Sequence, residues 1–126
     1  MKYEMEHIED SSTISEDNTT IHFISDESEA NIPEITDKTD FIEQTNLDDH
    51  DIVVFQAELL SGSSTIDEVD LVKENNSGHV HACAESPEDG TGNVIYDIYL
   101  FRIPVRKITD VYYTYRRDDG EILSTQ

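Results

Sequence analysis

Positive charge is scarce in this sequence. Of 126 residues only eight are Lys or Arg, against 29 Asp and Glu, and the formal net charge at pH 7 is −21. A chain so negative repels phosphate backbones and anionic lipid, so neither direct nucleic-acid binding nor membrane binding is expected. Tryptophan is absent and methionine occurs only twice, which leaves Ile, Val, Tyr and Phe to build any core. A single cysteine, Cys83, excludes an intramolecular disulfide. It points to a reducing compartment: the cytoplasm, or the nucleus for a eukaryotic or viral protein. No apolar run approaches the ~20 residues of a membrane span, and Met1–Asp10 has no apolar stretch of the kind a secretory signal needs.

The few cations are unevenly placed. Residues 1–101 carry Lys2, Lys38 and Lys73 alone, whereas Arg102, Arg106, Lys107, Arg116 and Arg117 all fall in the last quarter. That quarter belongs to the richest β-forming stretch of the chain, Asn93–Arg117, with its Ile, Val and Tyr residues. Adaptation to high salt is a poor account of the acidity, because Ile and Asn are abundant and only four Ala are present.

Residues 1–18 are polar and acidic, and a disordered tail is expected there. Thr19–Ser25 alternates, with Ile21 and Phe23 on one side, and reads as a strand. Glu34–Leu47 suits a short helix or a loosely extended segment, so residues 19–47 form only a loose attachment to the domain 19–126. Asp51–Leu60 is a second strand, with Val53, Phe55 and Ala57 facing one way. In Thr65–Glu74 the spacing of Ile66, Val69 and Val72 favours a helix capped by Thr65 and Glu68, over the strand that Val69 and Leu71 would allow. Further strands are expected at His79–Glu85, Val94–Ile103, Ile108–Arg117 and Glu121–Leu123. They are separated by turn signals at Asn75–Gly78, Ser86–Gly92, Pro104–Lys107 and Asp118–Gly120. The sum is an α+β, β-rich domain: an antiparallel sheet of four to six strands with a C-terminal meander and one or two short helices.

Phosphate-binding glycine loops are absent, and the acidic neighbourhood of Cys83 disfavours a nucleophilic thiolate. On a strand, His79, His81, Cys83 and Glu85 share a face, and imidazole, thiolate and carboxylate together suit zinc or a related metal. The spacing His79-x-His81-x(3)-Glu85, continued to Gly92, resembles the first metal motif of the cupin family. That resemblance implies a small metal-binding β-barrel centred on His79, His81 and Glu85. It spans about fourteen residues. Lys73 stands where the motif has its leading glycine, and no His follows position 81 to supply the second motif.

The acidic surface itself carries the main functional expectation. Duplex DNA presents one charge per ~1.7 Å of axis, and a small β scaffold with comparable charge fits a nucleic-acid-binding cleft. The expected activity is therefore non-enzymatic, with no cofactor. The chain would dock on a basic, nucleic-acid-binding protein as an inhibitor, in the manner of a DNA mimic or an immunity protein. Contacts are expected from Asp48, Asp49, Asp51, Asp67, Glu68, Asp70, Glu88 and Asp89, which lie in loops and at element ends. The alternative is an interaction module with an acidic, Ser/Thr-rich tail, in which Thr13 and Thr45 precede acidic residues that a kinase could read. A free strand edge leaves room for a homodimer, which nothing in the sequence requires.

Overall fold

The computed structural model describes residues 2–11, 18–60, 65–85 and 94–126, with the side chains of residues 10, 11 and 60 left aside. Among these residues, eight strands form two four-stranded sheets. The strands are β1 (Glu4–Ser11), β2 (Thr20–Ile24), β3 (His50–Leu60), β4 (Thr65–Glu74), β5 (Ser77–Glu85), β6 (Val94–Pro104), β7 (Asp110–Arg117) and β8 (Ile122–Thr125). One sheet has the order β1-β6-β3-β2 and the other β4-β5-β7-β8. All pairings are antiparallel except β5 with β7, which run parallel. The β-rich, antiparallel class expected from the sequence is the one observed.

Two cores follow from the strand period of two. Val53, Phe55, Ala57 and Leu59 of β3 and Tyr99, Phe101 and Ile103 of β6 point between the sheets. There they meet Leu71, Val80, Ala82, Ala84, Tyr113 and Tyr115 from the second sheet. The alternate residues, Ile52, Val54, Ile98 and Leu100, point the other way and are also buried. Segment 25–49 covers them with Ile35, Phe41 and Ile42. Strands β3 and β6 thus lie between two apolar layers, which is why Asp51–Ala57 is buried without interruption.

Four expectations are corrected. The acidic N-terminal segment is not a tail over its whole length: Glu4–Ser11 pairs with β6 as an edge strand. Its local sequence is polar, but it gains a backbone ladder, and His7 stacks on Tyr99 at 4.3 Å. Residues 12–17 fall outside the described residues. Segment 19–47 is firmly docked, because β2 pairs with β3 and Ile35 is wholly buried. Its helical content is a four-residue helix, α1 (Pro33–Thr36), and a 3-10 turn at Glu27–Glu29.

The segment Thr65–Glu74 is a strand, not a helix. Ile66 opposes Ala84, Glu68 opposes Cys83 and Val69 opposes Ala82, so Asp67 is the extra residue of a β-bulge. The bulge lets Ile66 and Val69, three apart, both reach the core. The three-residue spacing that favours a helix is therefore the imprint of a bulge.

The C-terminal strands do not form one meander. Strands β6 and β7 are consecutive yet belong to different sheets. The link between them is not a hairpin: Pro104 ends β6, Arg106 adopts a φ of 65°, and Ile108 is buried. Val105 donates its N–H to Asp49 O, and Thr109 donates to Asn76 O, which fixes the two ends of the crossing.

Candidate functional site

The outer face of the second sheet is the chemically richest surface. On β5 the even residues Val80, Ala82 and Ala84 face the core, so His79, His81, Cys83 and Glu85 face outward, as the period of two requires. The β4–β5 hairpin closes with Asn75 and Asn76, the former at φ 55°, and sets Glu74 opposite Ser77. Glu74 therefore projects onto the same face, diagonal to His79. On the other side β7 places Tyr112 beside His79 and Thr114 beside His81.

These neighbours converge. Glu74 Oε1 lies 3.0 Å from His79 Nδ1 and 3.5 Å from His81 Nε2. The Tyr112 hydroxyl donates to Glu74 Oε2, and His79 Nε2 lies 2.7 Å from Thr114 Oγ1. Tyr112 stacks on the His79 ring at 4.1 Å, and the two imidazoles are 3.7 Å apart. The hydrogen bonds from Tyr112 and His79 hold the Glu74 carboxyl low, at about 2.

Of the metal candidates named from sequence, His79 and His81 meet, but Glu85 does not join them. Glu85 shares their face, yet it lies four positions along the strand from His81, a distance of ~13 Å. Glu74, which strand periodicity within β5 cannot reveal, takes its place. The signal for it is the turn: a two-residue Asn-Asn hairpin folds Glu74 back beside the first histidine. Gly92, the end of the cupin-like spacing, lies outside the described residues. Cys83 is half-buried, and burial followed by Asp67, Glu68 and Asp118 pushes its thiol up, away from a nucleophilic thiolate.

The expected partner contacts divide. Asp48 and Asp49 are exposed on the turn before β3, where Asn46 Oδ1 accepts the Asp48 N–H at 3.0 Å. Asp67, Glu68 and Asp70 are exposed on the edge strand β4 and, with Arg116, line a concavity of about 850 Å³. Asp70 accepts a 2.7 Å hydrogen bond from Tyr3. Asp51 is only 3% exposed and cannot serve as a contact, because β3 is already buried on both faces where it begins. Glu88 and Asp89 fall outside the described residues. Thr45 is buried and bonded to Arg102 and the Phe41 carbonyl, so a kinase has no access to it in the fold. Thr13 lies outside the described residues.

Sequence reasoning missed a larger acidic feature. Segment 26–49 turns its apolar residues onto the first sheet and carries Asp26, Glu27, Glu29, Glu34, Asp37, Asp40, Glu43, Asp48 and Asp49 against the single Lys38. All but Glu34 of these carboxylates are exposed. Their clustering emerges only once the segment is known to pack as one layer.

Compared with protein-family models, with curated proteins and with solved structures, the chain matches none. Among the described residues no helix is long and apolar enough to cross a membrane.

Proposed function

We propose that this chain is a non-enzymatic acidic protein that docks on the basic surface of a nucleic-acid-binding protein and occupies its cleft. The observation that supports this reading is the layer 26–49. Its Ile35, Phe41 and Ile42 anchor it to the first sheet, so the backbone that carries its carboxylates is held in place. A fixed array of like charge costs stability in the free protein, and a cationic partner relieves that repulsion. Encounter is then steered by charge and docking is completed by local contacts. Asp48 and Asp49 belong to this array, while Asp67, Glu68 and Asp70 extend acidity along the β4 edge.

The test compares the wild-type chain with a variant in which Asp37, Asp40, Asp48 and Asp49 become Asn and Glu43 becomes Gln. Each is immobilised and exposed to lysate of its own host at low and then high salt. The expected result is a salt-released nucleic-acid-binding protein, captured by the wild type and not by the variant, whose DNA or RNA binding the purified chain inhibits. Capture that survives high salt, or that the neutralised variant retains in full, overturns the proposal.

A further inference from the structure

We infer that Glu74, His79 and His81 form a binding site for one divalent transition-metal ion on the outer face of the second sheet. The inference rests on side-chain geometry at the β4–β5 hairpin and on none of the acidic layer invoked above.

Three ligand atoms, one from each residue, lie within 4.8 Å of one another. A tetrahedral zinc ion with bonds of ~2.0–2.1 Å separates its ligand atoms by ~3.3 Å. The distances from Glu74 Oε1 to His79 Nδ1 and His81 Nε2, 3.0 and 3.5 Å, bracket that separation. The two imidazole nitrogens lie within 4.8 Å of each other, so closing all three ligands on an ion takes side-chain adjustments of at most about 1.5 Å.

The surroundings position the ligands. Without an ion His79 Nδ1–H donates to Glu74 Oε1; an ion that displaces this proton leaves Nδ1 as a ligand, and the Thr114 hydroxyl, 2.7 Å from Nε2, can then accept Nε2–H. The Tyr112 hydroxyl engages Glu74 Oε2 and leaves Oε1 for the ion. Tyr112 also stacks on the His79 ring and limits its rotation. Hydrogen-bonded supports of this kind orient ligands in metal sites generally.

The donor set selects the metal. Two imidazole nitrogens and one carboxylate oxygen suit zinc, cobalt, nickel, copper or ferrous iron, whereas calcium and magnesium prefer all-oxygen shells. The Glu74 and His81 side chains are each 44% exposed, so the ion is reachable from solvent and keeps a coordination position for water or for a partner's side chain. The ligands come from both strands of one hairpin, an arrangement distinct from the spacing within β5 that resembles the cupin motif.

The test is calorimetric titration of zinc chloride into the full chain, with magnesium chloride in excess to mask unspecific binding to carboxylates. The expected result is one equivalent of zinc, with affinity lowered at least ~10-fold by Glu74→Gln and by His81→Ala, and unchanged by Glu85→Gln. Both altered ligands are exposed, and far-UV circular dichroism verifies that each variant keeps its fold. Cobalt(II) should give visible absorption bands that the wild type and Glu85→Gln share and that His81→Ala changes. Zinc uptake by the wild type no greater than by the Glu74→Gln and His81→Ala variants overturns the inference. So does a loss on Glu85→Gln equal to theirs.

Discussion

The guanidinium carbon of Arg102 sits 4.2 Å from the centre of the Phe41 ring. This contact joins strand β6 to the layer that covers it. Arg102 Nε donates to Thr45 Oγ1 at 2.7 Å, one terminal nitrogen donates to Phe41 O at 3.0 Å, and the other pairs with Glu4 of β1. One side chain thus ties together the edge strand, the central strand and the acidic layer. Its cationic plane uses the fork geometry that lysine lacks.

Removing that side chain leaves the Phe41 carbonyl and the Thr45 hydroxyl without their cationic donor. Arg102→Ala is expected to cost about 2–4 kcal/mol of stability in urea unfolding, and Arg102→Lys most of that amount. Glu4→Gln should cost less than about 1 kcal/mol, because the Glu4 side chain is 71% exposed and exposed ion pairs contribute little. Equal losses for Arg102→Lys and Glu4→Gln would refute this division of roles.

At Gly78 the second sheet lies close against the β6–β7 crossing. A β-carbon built there would lie 2.6 Å from Ile108 Cδ1 and 3.3 Å from Leu71 Cδ1. Both neighbours are buried, so neither can move freely. Gly78→Ala should therefore destabilise the fold by about 1–3 kcal/mol, the usual range for an overpacked core. The companion change Ile108→Val, which shortens the obstructing side chain, should recover part of that loss when combined with it. Strict additivity of the two effects in denaturation would show that the contact is not the cause.

Asp51 carries the opposite kind of cost. Its carboxylate takes the backbone N–H of Arg106, but Oδ1 has no hydrogen-bond partner among the described residues. Burial raises its pKa, Glu29 adds to the rise, and His50 opposes it. The charged form is thus disfavoured in the folded state relative to the unfolded one, where a carboxyl titrates near ~3.9. Above the raised value Asp51 weakens the fold. As pH falls through that value the fold takes up the proton first and the penalty disappears. Asp51→Asn should consequently raise the melting temperature at pH 7, and the gain should shrink on acidification and vanish below about pH 4. A gain that stays constant with pH would mean that charge is not its origin.

Much of the fold is legible in local pattern. Ile21 and Phe23, Val53, Phe55 and Ala57 of β3, and Val111, Tyr113 and Tyr115 all face the core that alternation assigns them. What escapes is information carried by long-range pairing. The β1 ladder depends on β6, nearly a hundred residues away, and β6 and β7 join different sheets through partners distant in sequence. At the candidate site His79 and His81 are visible through strand periodicity. Glu74 is not, because it reaches them through a turn and a neighbouring strand rather than along its own.

The bulge at Asp67 offers the sharpest test of that distinction. Deleting Asp67 leaves Ile66 opposite Ala84 and Glu68 opposite Cys83, now as successive pairs of a regular ladder. Every apolar residue of β4 keeps its face, and only one exposed carboxylate is lost. Deleting Asp70 also removes one exposed carboxylate. It forces residues on one side of the cut to slip by one, which exchanges core and solvent faces for that part of the strand. Either Val69 turns to water and Glu68 to the core, or Leu71 turns to water. The deletion of Asp67 is therefore expected to fold with stability within about 1 kcal/mol of the parent, as suits a change that buries and exposes nothing. The deletion of Asp70 should lose at least ~2–3 kcal/mol through its displaced apolar side chains. Urea denaturation of the two variants, identical in composition and net charge, separates the cases without reference to electrostatics, and equal stability would mean that Asp67 is not the surplus residue of the strand.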